Sequence, residues 1–240
     1  REYGAEPLGR AIAESRRAVE IAPDYGFAQA IHALTIAGAY LSLSPHDPEQ
    51  ERAIQPHIDR AFALDPDHAG VLAAIAAASA YIGRPAEGLP RALRAIRLRP
   101  GHGLAHYAAG VSSLLLSAED DALGHFERFL QVEPESHLHY ITHAWRGICR
   151  SRLHEFPAAR EAFADSFALF PGNFIARLVL TCIDCIEGHR DQAADHLAAA
   201  RALEPIATLQ LYQARIGRFF AGSALRGDAL AALGSLWPEG

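Results

Sequence analysis

Apolar residues recur along this chain at helical spacing and never settle into the strict alternation of a half-buried strand. Two apolar-periodic segments lie between Asp67 and Pro100, split by a Gly83-Arg84-Pro85 break and closed by the proline. The stretch from Gly101 to Pro134 has the same layout. Helix-terminating prolines fall at Pro23, Pro66, Pro100, Pro134, Pro171 and Pro205, at intervals of 43, 34, 34, 37 and 34 residues. One helix–turn–helix unit is therefore repeated, with nine extra residues in one copy and three in another.

The pattern predicts a first helix with Pro7 in its first turn, running to about Ile21, with Leu8, Ile12, Ser15 and Val19 on one side. It reads as the second half of a repeat. The segment 24–40 is apolar on nearly every side, as expected of a helix set between neighbours. The nine extra residues are expected as an insertion at 41–47. Asp47, Pro48 and Glu49 then supply a capping carboxylate, a first-turn proline and an acid at the positive end of a helix reaching Leu64. Pro56 inside that helix and Pro90 one repeat later each remove a backbone hydrogen bond, so a bend is expected at both. Helix pairs follow at 68–82 with 85–98, 102–116 with 119–131, 136–150 with 156–169, and 173–187 with 190–203. The three extra residues are assigned to the Ser151–Glu155 turn. Asn173 is a good N-cap, and Gly188 suits a tight turn. Thr208 to Phe220 reads as one more first-type helix, with Arg215 where the others carry a small residue. Ser223 can cap a last helix ending near Leu236.

Small residues keep the same register. Five before each proline stand Ala18, Ala61, Ala95, Phe129, Ser166 and Ala200; twelve before stand Ala11, Ile54, Gly88, Ala122, Ala159 and Ala193. In the first helix of each pair, the close-contact position is assigned to Ala33, Ala76, Gly110, Ala144 and Thr181. Small side chains there let helix axes approach to roughly 8–10 Å. The period, the helix-pair reading and these positions resemble the tetratricopeptide repeat (TPR) family over almost the whole chain. Ile54, Phe129, Ser166 and Thr181 depart from its pattern. The resemblance implies an all-α, right-handed superhelical solenoid of antiparallel helix pairs. Its units would be a partial repeat at 1–23, repeats at 24–66, 67–100, 101–134, 135–171 and 172–205, and a C-terminal capping segment at 206–240. The tail, with its Phe219-Phe220 turn and closing Leu236-Trp237-Pro238-Glu239, is also similar to the ends of bacterial class III adenylate/guanylate cyclases and winged-helix regulators that carry TPR regions. That similarity implies a regulatory region of a larger bacterial signalling protein.

No apolar run approaches the roughly 20 residues of a membrane-spanning helix, and Arg1 to Glu6 is polar, so no membrane partner is expected. The chain contains no methionine, which suggests a piece of a longer protein. All 22 basic residues are arginine and the net charge is −6, which argues against nucleic acid as a partner. Three cysteines form no disulfide framework and suit a reducing cytoplasm.

Thirteen histidines are the unusual supply. His137, His139 and His143 gather at one helix start, and His139 and His143 stand one turn apart. Zinc needs three or four suitable donors, so packing or hydrogen-bonding roles are expected for these, and for His102 and His106. Cys182 and Cys185 share a helix side but lack a second pair, and are expected as buried small residues. Arg84, Arg91, Arg94, Arg97 and Arg99 form a basic stripe, read as a solvated face with acids nearby. Gly101-His102-Gly103 lacks the preceding strand of a phosphate loop. No catalytic, cofactor or metal set is assigned.

Within the TPR resemblance, one side of each first helix lines an inner groove. Those positions include Phe27, Ala30 and Leu34, then Ala73, Ala77 and Tyr81, then Leu104, Tyr107, Val111 and Leu114. Leu138, Ile141, Trp145 and Ile148 follow, and then Ile175, Leu178 and Cys182. The candidate binding residues are Phe27, Tyr81, Leu104, Tyr107, Val111, Ile141, Trp145, Ile148 and Leu178, with Tyr107 and Trp145 as anchors. The groove lacks a lysine–asparagine clamp for a C-terminal carboxylate, because the chain has no lysine and only Asn173 as asparagine. The expected function is a non-enzymatic protein-interaction scaffold that takes a partner's peptide or helix, another domain of its parent chain, or a second copy as a homodimer. The alternative is a sensor whose groove ligand, a peptide or small molecule, changes the superhelix. The same residues would simply be core if they pack between helices or under the chain's own ends.

Overall fold

A computed structural model describes residues 5–43 and 48–237, and among these residues there are helices and turns but no strand. In chain order the helices are α1 (Ala5–Ile21), α2 (Gly26–Leu43), α3 (Pro48–Leu64), α4 (Ala69–Tyr81), α5 (Pro85–Leu98), α6 (Gly103–Leu115) and α7 (Glu119–Val132). They continue as α8 (His139–Arg152), α9 (Phe156–Leu169), α10 (Phe174–Ile186), α11 (Arg190–Leu203), α12 (Leu209–Phe219) and α13 (Arg226–Leu236). The all-α helix-pair expectation holds. Two compact units result, Arg1–Leu116 with Gly124–Pro134 and Ser117–Leu123 with Glu135–Gly240, the division falling inside α7.

In the first unit, α4 is the centre. Seven of its 13 residues are alanine, and every residue from Gly70 to Ala80 is buried. Small side chains let α2, α5 and α6 close around it, with Ile54, Ile58, Val71, Leu72 and Ile75 filling the core. Two glycines set the depth of contact. A Cβ on Gly88 of α5 would stand 2.7 Å from the Ala76 carbonyl oxygen of α4, and one on Gly110 of α6 would stand 2.6 Å from the Phe126 ring of α7. In the second unit Gly147 of α8 meets the Phe163 ring of α9 in the same way.

That pairing corrects the register. The partner of Gly110 in the next repeat is Gly147, 37 residues on, and not Ala144. The residues with positive φ agree, since the turns inside four pairs place Gly83, Ser117, His154 and Gly188 in the left-handed region. Each of those turns is three residues long, so the Ser151–Glu155 turn holds no insertion. The extra residues lie before it, in the 133–138 connection and in α8, which begins at His139 rather than near 136.

The nine-residue excess is likewise mostly helix. α2 extends to Leu43 and α3 begins at Pro48, giving lengths of 18 and 17 residues against 13 and 14 for α4 and α5. Residues 44–47, with the proposed Asp47 cap, lie outside the described residues, as do Pro238 and Glu239. α3 and α5 each continue as helix on both sides of Pro56 and Pro90.

The tail departs from the repeat. As a plain seventh repeat, α12 would be the main partner of α10; instead α13 packs along α10. α12 reaches back to α8, where the Phe219 and Trp145 rings meet edge to face at 5.7 Å. Ser223 serves the turn before the last helix, its Oγ accepting from the Leu225 N–H, and α13 starts at Arg226.

Candidate functional site

The first helices of the first unit carry the part of the assigned surface that remains accessible. Phe27 and Leu34 of α2, Tyr81 of α4 and Leu104 of α6 are half-buried and rest on the core around Val71 and Ile75. Ala30, Ala73 and Ala77 lie beneath, fully buried. Small residues there let α4 pack closely between α2 and α6. Tyr81 is held by its hydroxyl, 2.6 Å from the hydroxyl of Tyr107. Tyr107 is not an exposed anchor. It is buried, its ring edge to face with Phe129 at 5.5 Å, and Val111 and Leu114 are buried with it.

In the second unit the assigned residues are covered, apart from the half-buried Leu138 before α8. Ile141, Ile148, Leu178 and Cys182 are buried, and Trp145 is 1% exposed. Their cover includes the chain's own C-terminal hairpin. Phe219 lies on Trp145, the Cys182 thiol points at the Ala229 carbonyl 3.5 Å away, and the Cys185 thiol lies 3.8 Å from the Ser235 hydroxyl. Trp145 as a partner-facing anchor is therefore corrected to a buried contact of α8 with α12.

Arg152, one turn beyond Ile148 on α8, is the residue that sequence reasoning missed. Its side chain is 1% exposed. Nη1 donates to the Phe219 carbonyl at 3.1 Å, and Nη2 donates to Ser117 Oγ at 2.9 Å and pairs with Glu119 at 2.7 Å. The Phe219 carbonyl belongs to the last turn of α12, where the helix dipole is negative, so a buried guanidinium is matched to it. The only sequence signal for this was an arginine in the last turn of a helix otherwise committed to burial.

The histidines and cysteines have structural explanations. His32 Nδ1 lies 2.8 Å from Ser15 Oγ, whose proton goes to the Ile12 carbonyl, so His32 donates through Nδ1. Burial, then the neighbouring His57 and Arg16, lower its pKa to about 4. His143 stands 3.4 Å from Asp165, but burial outweighs that carboxylate and holds its pKa below the usual value. His139 and His143 meet edge to face at 6.4 Å, while His137 is exposed. His106 contacts the Pro100 carbonyl through Nε2 at 2.9 Å. Burial pushes the Cys149 and Cys182 thiols well up, which keeps them protonated and unreactive.

Asp184, Glu187 and His189 bring one donor atom each to within 4.8 Å of one another. Arg160 already pairs with both carboxylates, which neutralises much of the charge a cation would need. Within the basic stripe, Arg84 pairs with Glu51 and Glu87, Arg91 with Glu87, and Arg94 with Asp67, while Arg97 and Arg99 are exposed. That is largely the solvated, acid-flanked face expected. No described helix is long and apolar enough to cross a membrane.

No protein-family model matches the chain, and no curated protein does. Solved structures do. A TPR protein of Thermus thermophilus, TTC0263, is similar with a TM-score of 0.61 and 17% identity, over 79% of this chain and 98% of that one. A crystal structure of MamA gives 0.54 and 17%, over 67% and 96%. A human IFIT1 dimer with PPP-AAAA gives 0.68 and 18%, covering 97% of this chain, which spans 60% of that protein. At these identities the likeness is one of fold. The fold is TPR-like.

Proposed function

We propose that this chain is a non-enzymatic protein-interaction scaffold, and that a partner's apolar segment docks on the first-helix face of the first unit. The observation that carries this reading is the accessible row Phe27, Leu34, Tyr81 and Leu104, set on three successive first helices over a floor of buried alanines. Half-buried aromatic and aliphatic side chains on rigid elements suit burial of an amphipathic helix or extended peptide. The charge of −6 supports a protein over a nucleic-acid partner, and the RNA in the IFIT1 neighbour belongs to that protein. A place inside a larger bacterial signalling protein, in the cytoplasm, rests on the resemblance of the tail and on composition.

The test is site-specific photo-cross-linking in the full chain. Benzoylphenylalanine at position 27 or 81 should trap the same protein species, and at the exposed Arg97 position of α5 should not. Equal trapping from all three positions, or none from 27 and 81, would overturn the reading.

A further inference from the structure

Within the second unit, the hairpin α12–α13 packs on α8 and α10 in a manner that defines what their face accepts. Besides the packing of α13 along α10, three contacts fix its α12 end. An aromatic in the last turn of a helix, Phe219, lies on Trp145. The carbonyl of that same residue takes a hydrogen bond from buried Arg152, whose other amino group is held by Glu119 and Ser117. The chain then turns at Gly222 with φ of 76°, hard against Ser117 Oγ, where any Cβ would collide. Together these describe a receptor for a helix C-terminus: an aromatic slot, a cation for the terminal carbonyl, and a wall that admits only glycine at the left-handed turn.

The hairpin buries Ile216, Phe219, Phe220, Leu225 and Leu233, yet its two helices are short. α12 and α13 have 11 residues each, below the roughly 12–15 at which an isolated helix holds in water, so docking and folding of the hairpin are coupled. It is tethered through Pro205, Ile206 and Ala207, of which Ile206 is 95% exposed. The contact is also imperfectly satisfied. Arg152 Nε is buried with no hydrogen-bond partner among the described residues. Unsatisfied buried polar atoms weaken an interface relative to a fully paired one.

We propose that the face centred on Trp145 and Arg152 binds the C-terminal end of a partner's α-helix carrying an aromatic residue in its last turn followed by glycine, and that α12–α13 is its tethered competitor. The partner gains the face only by displacing the hairpin. This site shares no residue with the first-unit face, so either can fail without the other.

The experiment uses the whole protein, nicked. A protease site replaces residues 205–207, the folded chain is cut there, and both fragments are kept together. A fluorescein-labelled peptide with the sequence of residues 208–237 is then added and followed by anisotropy, with helicity recorded alongside. The labelled peptide should exchange into the cut protein, and bind the uncut protein at least tenfold more weakly. Unlabelled peptides carrying Phe219→Ala or Gly222→Val should compete at least tenfold less well than the parent. Three results overturn the proposal: loss of helicity in the larger fragment on cutting, no exchange over a day, or equal competition by all three peptides. The first two would make the hairpin integral core, and the third would remove recognition from Trp145, Arg152 and Ser117.

Discussion

Asn173 shows what one residue can reveal in a sequence and what it cannot. A lone asparagine before an apolar-periodic run reads as an N-cap, and its Oδ1 does accept from the Ala176 N–H. Its Nδ2 also donates to Ser166 Oγ at 2.8 Å, and that hydroxyl in turn donates to the Tyr140 carbonyl at 2.6 Å. One side chain thus joins the starts of α8 and α10 to α9, through partners 7 and 26 residues apart that no local pattern links. Asn173→Ala should destabilise by about 1–2 kcal/mol, the cost of a lost cap plus a stranded buried hydroxyl, read as a lower urea midpoint at unchanged slope. An unchanged midpoint would mean the cap is idle. Trp145 is the opposite case. Its helical position was legible, but Phe219 lies 74 residues away, and only the fold shows that the chain covers its own tryptophan. Arg152 was illegible for the same reason, since the carbonyl it serves belongs to another element.

At the scale of elements, order and type were legible because proline and glycine punctuate the period directly. Lengths were less so. Extra residues between two punctuation marks read equally well as loop or as helix; those of the second repeat mostly lengthened α2 and α3, and those of the fifth mostly lengthened the 133–138 connection. The misplaced insertion in the fifth repeat shifted the close-contact position by three, from Gly147 to Ala144. Helix-on-helix contact identifies the right one. Gly147→Ala places a Cβ into the Phe163 ring, a strain of roughly 1–3 kcal/mol that exceeds the roughly 0.5–1 kcal/mol an alanine gains in a helix. Gly124→Ala on α7 meets nothing within 4 Å and should be stabilising by that same gain. Paired thermal melts check both signs. A rise for Gly147→Ala would sink the assignment of Gly147 as the contact residue, and a fall for Gly124→Ala would mean that the helix gain is not realised on α7.

At the scale of the whole chain, two electrostatic effects oppose each other as pH falls. Net charge moves from −6 toward zero near the isoelectric point of about 6.1, which relieves self-repulsion and favours the compact state. Against this stand five histidines whose pKa values folding lowers, in each case chiefly by burial: His32, His57 and His102 in the first unit, His143 and His196 in the second. Asp165 and Asp184 pull the last two back up without prevailing. Below about 6.5, the ordinary value, the unfolded chain binds protons that the folded chain refuses. Their contribution to stability is therefore present above that pH and is lost as pH falls toward the folded values, near 4 for His32. Surface repulsion is screened beyond about 8 Å at physiological salt, whereas desolvation of a buried ring is not, so the histidines should win. Calorimetry should show a nearly constant Tm from pH 8 to 7 and a drop of roughly 5 °C or more by pH 5, on a scale of about 2–4 °C per kcal/mol for a chain of this size. Raising NaCl from about 0.15 to 0.5 M should leave that drop in place. A Tm that holds or climbs toward pH 5, or a drop that salt abolishes, would mean that surface charge and not histidine burial governs the acid limb.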